Sequence, residues 1–194
     1  SLQFRPSDAF MIYGAVSQGY KSGGFNSEPT NLIAATTSFD EETVLNFEAG
    51  VRTKLLDNRV HFNLTAFNMK YDDIQVSSFD ANGVEITSNA ASATIRGLEV
   101  EAVARPSRKL SLSMGASVYD GKFDKYTDLN GNNLAGRRIA KLPKWTLALS
   151  AVADSPQIAG AGVLRLRTDY NTRSDIAHDA PADRQFGIRK GKDM

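Results

Sequence analysis

The sequence predicts an all-β fold: antiparallel strands that cross a lipid bilayer as one segment of a transmembrane β-barrel. Three observations point there. Apolar and polar residues alternate with period two in segment after segment of the chain, over about seven to eleven residues each, against a common strand length of roughly 5–6 in globular proteins. About ten alternating residues are what a tilted strand needs to span hydrocarbon. The connections are alternately long and short, as in a barrel with tight periplasmic turns on one side and long extracellular loops on the other. The polar faces are rich in Ser, Thr, Asn, Gly, Glu and Arg, which suits a wet lumen better than a dry core.

Seven strands are expected. The first, around Phe10 to Gly19, is apolar on both parities, so its faces stay unassigned. In the second, Leu45, Phe47, Ala49, Val51, Thr53 and Leu55 alternate with Asn46, Glu48, Gly50, Arg52 and Lys54. In the third, Val60, Phe62, Leu64 and Ala66 alternate with His61, Asn63 and Thr65. Phe67, Met69 and Tyr71 then break that parity, either through a β-bulge near the rim or because the strand has left the lipid. The fourth sets Leu98, Val100, Ala102 and Ala104 against Gly97, Glu99 and Glu101. The fifth runs from Leu110 to Val118, the sixth from Trp145 to Ala151 and the seventh from Leu164 to Asn171, each with the same alternation. Short connections are expected at 56–59, 105–108 and 154–162, and long polar ones at 21–42, 72–89 and 121–143. Strand one then runs outward. Trp145 and Tyr170 fall near the outer ends of their strands, where a barrel wears an aromatic girdle.

Composition narrows the function classes. A net charge of +1 and 23% charged residues suit one folded unit and show no bias toward nucleic acid. No run approaches the roughly 18 uncharged apolar residues of a transmembrane helix. Negative mean hydropathy is no argument for solubility, because a spanning strand needs apolar residues on its lipid face alone. Without cysteine, disulfides, thiolate nucleophiles and zinc-finger sites are excluded, and His61 and His178 are the only histidines. No signal peptide precedes Phe4, which fits a chain that begins in mid-protein.

Four stretches resemble one family. Tyr13-Gly14-Ala15-Val16-Ser17-Gln18-Gly19-Tyr20-Lys21-Ser22-Gly23-Gly24-Phe25-Asn26 is similar to a Y-x-x-x-S-x-G-[FY]-K-S-G-G-[FY]-N stretch of TonB-dependent receptor barrels. Asn46 to Lys54 resembles that family's Y/F-E-x-G-x-[KR]-[ST]-[KE] strand, and Asn63 to Gln75 its A-F-x-x-x-Y-x-D-I-Q. Asn89-Ala90-Ala91, followed by Arg96-Gly97-Leu98-Glu99-Val100-Glu101, resembles N-A-x-x-A-x-x-x-G-[VL]-E-x-E. They stand in the family's order and spacing from about residue 9 to about 178. The resemblance implies about seven strands of a 22-stranded barrel filled by an N-terminal plug, in the outer membrane of a Gram-negative bacterium. It implies a transporter on whose plug energised TonB pulls to admit a scarce nutrient, most commonly an iron–siderophore complex. The expected partners are outer-membrane lipid, the TonB system through the plug, and cargo such as a ferric siderophore; no cofactor is implied.

No TonB box, plug, closing strands or terminal aromatic residue is recognisable. The expected layout is a partial barrel over 1–178 and an atypical tail over 179–194 that is disordered or outside the family. A frameshift, an assembly error or an artificial end would each produce it.

The chemistry-bearing clusters have bland readings beside sharp ones. Glu99 and Glu101 form either a carboxylate pair or a polar wall; no catalytic residue is assigned. Asp128-Leu129-Asn130-Gly131-Asn132 opens like a calcium loop, but Ile139 stands where the twelfth-position carboxylate belongs, so it reads as a turn and no metal site is assigned. Arg52, Lys54, Arg165 and Arg167 face the lumen by parity, either toward an anionic chelate or toward the plug. Loops on a rigid scaffold collect binding residues. This selects Tyr20, Lys21, Phe25 and Asn26 in the first long loop and Arg137 and Arg138 in the third. Gly19 to Gly24 leads into no helix, so it is no phosphate loop.

Two rivals remain at this stage. One is a soluble β-sandwich adhesion or carbohydrate-binding domain, which also alternates apolar and polar residues. The other is an outer-membrane barrel enzyme, which would need a Ser–His or carboxylate constellation.

Overall fold

The computed structural model describes residues 1–26, 38–79, 85–128 and 131–176. The described elements are β1 (Leu2–Ser7), β2 (Phe10–Lys21), β3 (Gly24–Phe25), β4 (Ser38–Phe39), β5 (Glu42–Leu55), β6 (Val60–Phe79), β7 (Glu85–Ser107), β8 (Leu110–Tyr126), β9 (Trp145–Asp154) and β10 (Arg165–Arg173). Eight form one antiparallel sheet in the order β1-β2-β5-β6-β7-β8-β9-β10, an up-and-down meander whose edges are β1 and β10. β3 and β4 pair as a small hairpin inside the connection from β2 to β5.

Register assigns the faces that the sequence left open in β2. Ile12 pairs with Val51 and Tyr13 with Gly50, so Ile12, Gly14 and Val16 join the apolar face of β5, and Tyr13 joins its polar face. Among the described residues, nothing lies over the apolar face. Val16 is 61% exposed, Phe47 43%, Leu98 47% and Leu149 40%, and no large side chain among the described residues is fully buried. A sandwich would cover this face with its second sheet and build a core roughly 10 Å thick there. The soluble rival therefore fails on packing.

The apolar band crosses the hydrogen-bond ladders obliquely. At its upper border lie Tyr20 on β2 and Tyr170 on β10. Tyr170 is in register through Leu149, Met114, Ala102, Phe62 and Thr53 with Phe10, which lies ten residues down β2 from Tyr20. At roughly 3.3 Å per residue and roughly 4.8 Å per strand, this drop over six strand steps is a slope of about 45–50°. Strands of outer-membrane barrels tilt by about 35–45°. The border is level with the membrane only if the strands lean by that much.

Two expectations change, and one open alternative is decided. The sequence pattern misses β1, a short edge strand outside the quoted alternation. The parity break at Phe67 is not a bulge, because the β5–β6 ladder runs unbroken from Leu55↔Val60 to Thr43↔Asp72. The strand has left the lipid: above that level the outward parity carries Asn68, Lys70, Arg96 and Asp120, while the inward parity becomes apolar. The polar stretch 72–89 is mostly strand, since β6 and β7 stay paired up to Phe79↔Glu85 after a bulge at Asp72–Asp73. A small core sits there, with Ala91, Tyr126 and Leu134 buried against Ile74, Val76, Ala90 and Phe123.

The opposite ends are tight. β7 turns into β8 through Arg108 and Lys109. β5 turns into β6 through Leu56, Asp57 and Asn58, all three at positive φ, with the Arg59 N–H donating to the Leu56 carbonyl at 3.0 Å.

Candidate functional site

The inner wall is built from side chains that use cross-strand glycines as floor. Tyr13 lies across Gly50, and its hydroxyl donates to Glu48 Oε1 at 2.6 Å and meets Thr65 Oγ1 at 3.0 Å. The Arg52 guanidinium stands 5.1 Å from the centre of that ring, within cation–π range. Phe67 lies across Gly97, its ring 6.0 Å from that of Tyr119. The Tyr119 hydroxyl donates to Glu99 at 3.1 Å, and the Asn63 amide donates to Glu101 at 3.3 Å. The two glutamates therefore sit separately in a polar wall, each with a neutral donor. Asn46 Oδ1 on this face is buried with no partner among the described residues.

Of the four lumenal cations, Arg167 pairs with Asp169 at 2.8 Å, and Arg165 forks onto Asp154 at 2.7 and 2.8 Å. Asp154 lies below the apolar band, level with the Lys109 turn. There the guanidinium holds its carboxyl below the usual range, so this pairing is complete at neutral pH and is lost as pH falls through the lowered value. Lys54 is paired in register with His61, whose Nε2 lies 3.2 Å from the Asn58 carbonyl. His178 lies outside the described residues.

At the outer rim, the six residues selected from the sequence do not form one cluster. Tyr20 stands on the outward parity at the top of β2, 76% exposed, and Lys21 beside it faces inward and is exposed. Phe25 is 69% exposed. Asn26 is engaged: its Oδ1 accepts from the Thr87 N–H at 2.7 Å, and its Nδ2 donates to the Thr87 carbonyl at 3.3 Å. Arg137 and Arg138 lie beyond β5, β6 and β7, where residues of the third long loop pair with the top of β8. Arg137 is exposed, and Arg138 donates to the Leu142 carbonyl at 3.3 Å. The Asp128 carboxylate accepts from the Asn132 N–H at 2.8 Å and from its side-chain amide at 2.9 Å, with Gly131 at φ +78°. That is the Asx geometry of a turn.

Sequence reasoning assigned no role to Gln75, Asn89 or Glu42, which gather at the base of the first long loop. The Gln75 amide donates to the carbonyls of Ser22 at 2.9 Å, Asp40 at 3.0 Å and Lys21 at 3.5 Å, and its backbone N–H donates to Glu42 at 3.1 Å. Gln75 and Asn89 were visible as motif residues and Glu42 was not, and their partners lie 16–54 residues away.

A tilted meander with an outward apolar band, a polar inner wall and pinned outer loops is a section of an outer-membrane β-barrel. The chain belongs to the TonB-dependent receptor family: the model described as "TonB dependent receptor-like, beta-barrel" matches residues 1–187. It is 29% identical over 139 residues to the pesticin receptor of Yersinia enterocolitica, covering 72% of this chain and 20% of that protein. It is 27% identical over 177 residues to the metal-pseudopaline receptor CntO of Pseudomonas aeruginosa, covering 88% and 23%. Its fold superposes on the ferric yersiniabactin uptake receptor FyuA of Yersinia pestis with a TM-score of 0.69 at 25% identity, over 87% of this chain and 24% of that one. The chain thus spans about a fifth to a quarter of the length of these relatives. All three are named as receptors. Membership places the chain in the outer membrane of a Gram-negative bacterium.

Proposed function

We propose that this chain is a wall section of a TonB-dependent transporter that actively imports a scarce nutrient, an iron–siderophore complex, and carries out no bond-making chemistry. The observation that supports this best is the joint match in sequence and fold to the ferric yersiniabactin receptor over most of the chain. The polar inner wall faces a plug through which TonB acts. The buried, unpartnered Asn46 Oδ1 and the Glu48–Tyr13 and Glu99–Tyr119 bonds fit a surface that meets protein rather than open water. The tail expected over 179–194 lies outside the described residues, and the family match runs to residue 187.

Of the six rim residues selected from the sequence, Asn26 and Arg138 are already engaged and Tyr20 stands on the outward parity at the border of the apolar band. Lys21, Phe25 and Arg137, which are exposed, make the direct contacts to cargo, with aromatic and cationic groups suited to an anionic chelate. The test is iron-limited growth of cells whose only siderophore receptor is the full-length protein carrying this segment, with ferric siderophores supplied singly. Growth on at least one is expected; growth on none sinks the assignment. Alanine at the three direct-contact positions should weaken binding about tenfold or more together, on the order of 1.4 kcal/mol. Unchanged affinity at all three positions would discard the set.

A further inference from the structure

We propose that Gln75 and Asn89 are positioning residues for cargo capture: their side-chain amides stand in for a missing strand and pin the base of the β2–β5 connection across β6 onto β7. The cargo half of this rests on the uptake function proposed above; the pinning does not.

The need for a substitute strand follows from register. β5 stops pairing with β6 at Thr43↔Asp72, whereas β6 continues to Phe79 with β7 on its other side. Above Asp72, the edge of β6 that faced β5 has lost its ladder partner. Unpaired edge amides must find other acceptors. Glu42 takes the Gln75 N–H at 3.1 Å. The Gln75 carboxamide then reaches both limbs of the connection, donating to Ser22 on the outgoing limb at 2.9 Å and to Asp40 on the returning limb at 3.0 Å. Its contact to Lys21 at 3.5 Å is the weakest of the set.

Asn89 makes the substitution more literal. Its Oδ1 accepts from the Asp40 N–H at 2.6 Å while its Nδ2 donates to the Asp40 carbonyl at 3.0 Å. One carboxamide satisfies both backbone groups of one residue, as a neighbouring strand would. Its second amide hydrogen goes to the Asp73 carbonyl at 2.7 Å, at the bulge residue with φ +55°. Asn26 repeats the pattern from the loop side, pairing both backbone groups of Thr87. The limbs close because Gly23 lies against the Phe39 carbonyl and Asp40 backbone, where no Cβ fits.

Lys21 and Phe25 are the residues this base holds at the rim. A loop ordered before binding loses less conformational freedom when ligand arrives. Gln75 and Asn89 therefore act on cargo affinity through Lys21 and Phe25 without touching cargo.

The test uses the full-length receptor in micelles and in cells, with Gln75→Glu and Asn89→Asp. Each is isosteric and sets a carboxylate oxygen against carbonyl oxygens. Ser77→Ala, which removes the nearby 2.9 Å Ser77–Thr87 hydroxyl contact, is the control. Hydrogen exchange at the Asp40 amide should quicken roughly tenfold or more in both clasp variants, with no change in the control or within 44–55. Uptake of the iron-55-loaded siderophore that supports growth above should show KM raised several-fold at unchanged Vmax. Unchanged exchange overturns the clasp. Faster exchange with a lower Vmax and fixed KM overturns the positioning role, because it reports fewer folded receptors. If no siderophore supports growth, the uptake assignment fails and exchange alone decides the clasp.

Discussion

Glycine on the inner wall is placed by its neighbours across the ladder. A Cβ on Gly97 would lie 2.5 Å from the Phe67 ring and 2.7 Å from the Val118 carbonyl. The ring can swing aside; the carbonyl belongs to the ladder and cannot. Gly97→Ala should therefore cost about 1–3 kcal/mol as overpacking, read as a lower urea midpoint for the folded receptor in micelles. At this scale the sequence was legible for residue type and parity. Alternation placed Glu48, Arg52, Glu99 and Glu101 on the polar face, and the structure agrees. It could not place Tyr13, because β2 is apolar on both parities and only pairing with Gly50 on β5 decides the matter. Nor could it see that Asn26 is occupied by Thr87, 61 residues away.

The long strands β6, β7 and β8 carry two environments in series. In its lower part, β8 turns Leu112, Met114 and Val118 outward and Ser113, Gly115 and Ser117 inward. Higher up, Asp120 and Lys122 face out while Gly121 packs beneath Leu142, Ile139 and Ile95. The reversal follows the solvent: hydrocarbon outside below, water outside above. Met114 lies midway along the apolar part of β8, so Met114→Arg should cost roughly 2–4 kcal/mol, measured as lost folding yield into liposomes. Gly115→Ser, one residue along, points a hydroxyl into open space and should fold like the parent chain. Six of the seven lipid-spanning strands were readable by alternation because hydrocarbon imposes a simple rule; β2, apolar on both parities, was not. The upper halves of β6 and β7 were not, because that rule lapses above the rim and polar residues there look like loop.

The described sheet has two edges, and β1 and β10 do not pair with one another. In lipid, edge amides without partners cost several kcal/mol each, so this wall section needs flanking strands to reside in a bilayer. The 194-residue chain alone, reconstituted into liposomes, should take up no ferric siderophore; measurable uptake would contradict this.

The oblique upper border has a consequence for assembly. Sliding one strand past its neighbour by two positions leaves every side chain on its proper side, so the alternation cannot detect that mistake. The border can. Such a slip would sink Asp120 toward the acyl chains or lift Val118 into water, and the penalty grows with each further step. Correct stagger is thus enforced by the depth of each side chain in the bilayer as well as by the turns, so a leaflet of the wrong thickness would loosen the very criterion by which the strands find their neighbours.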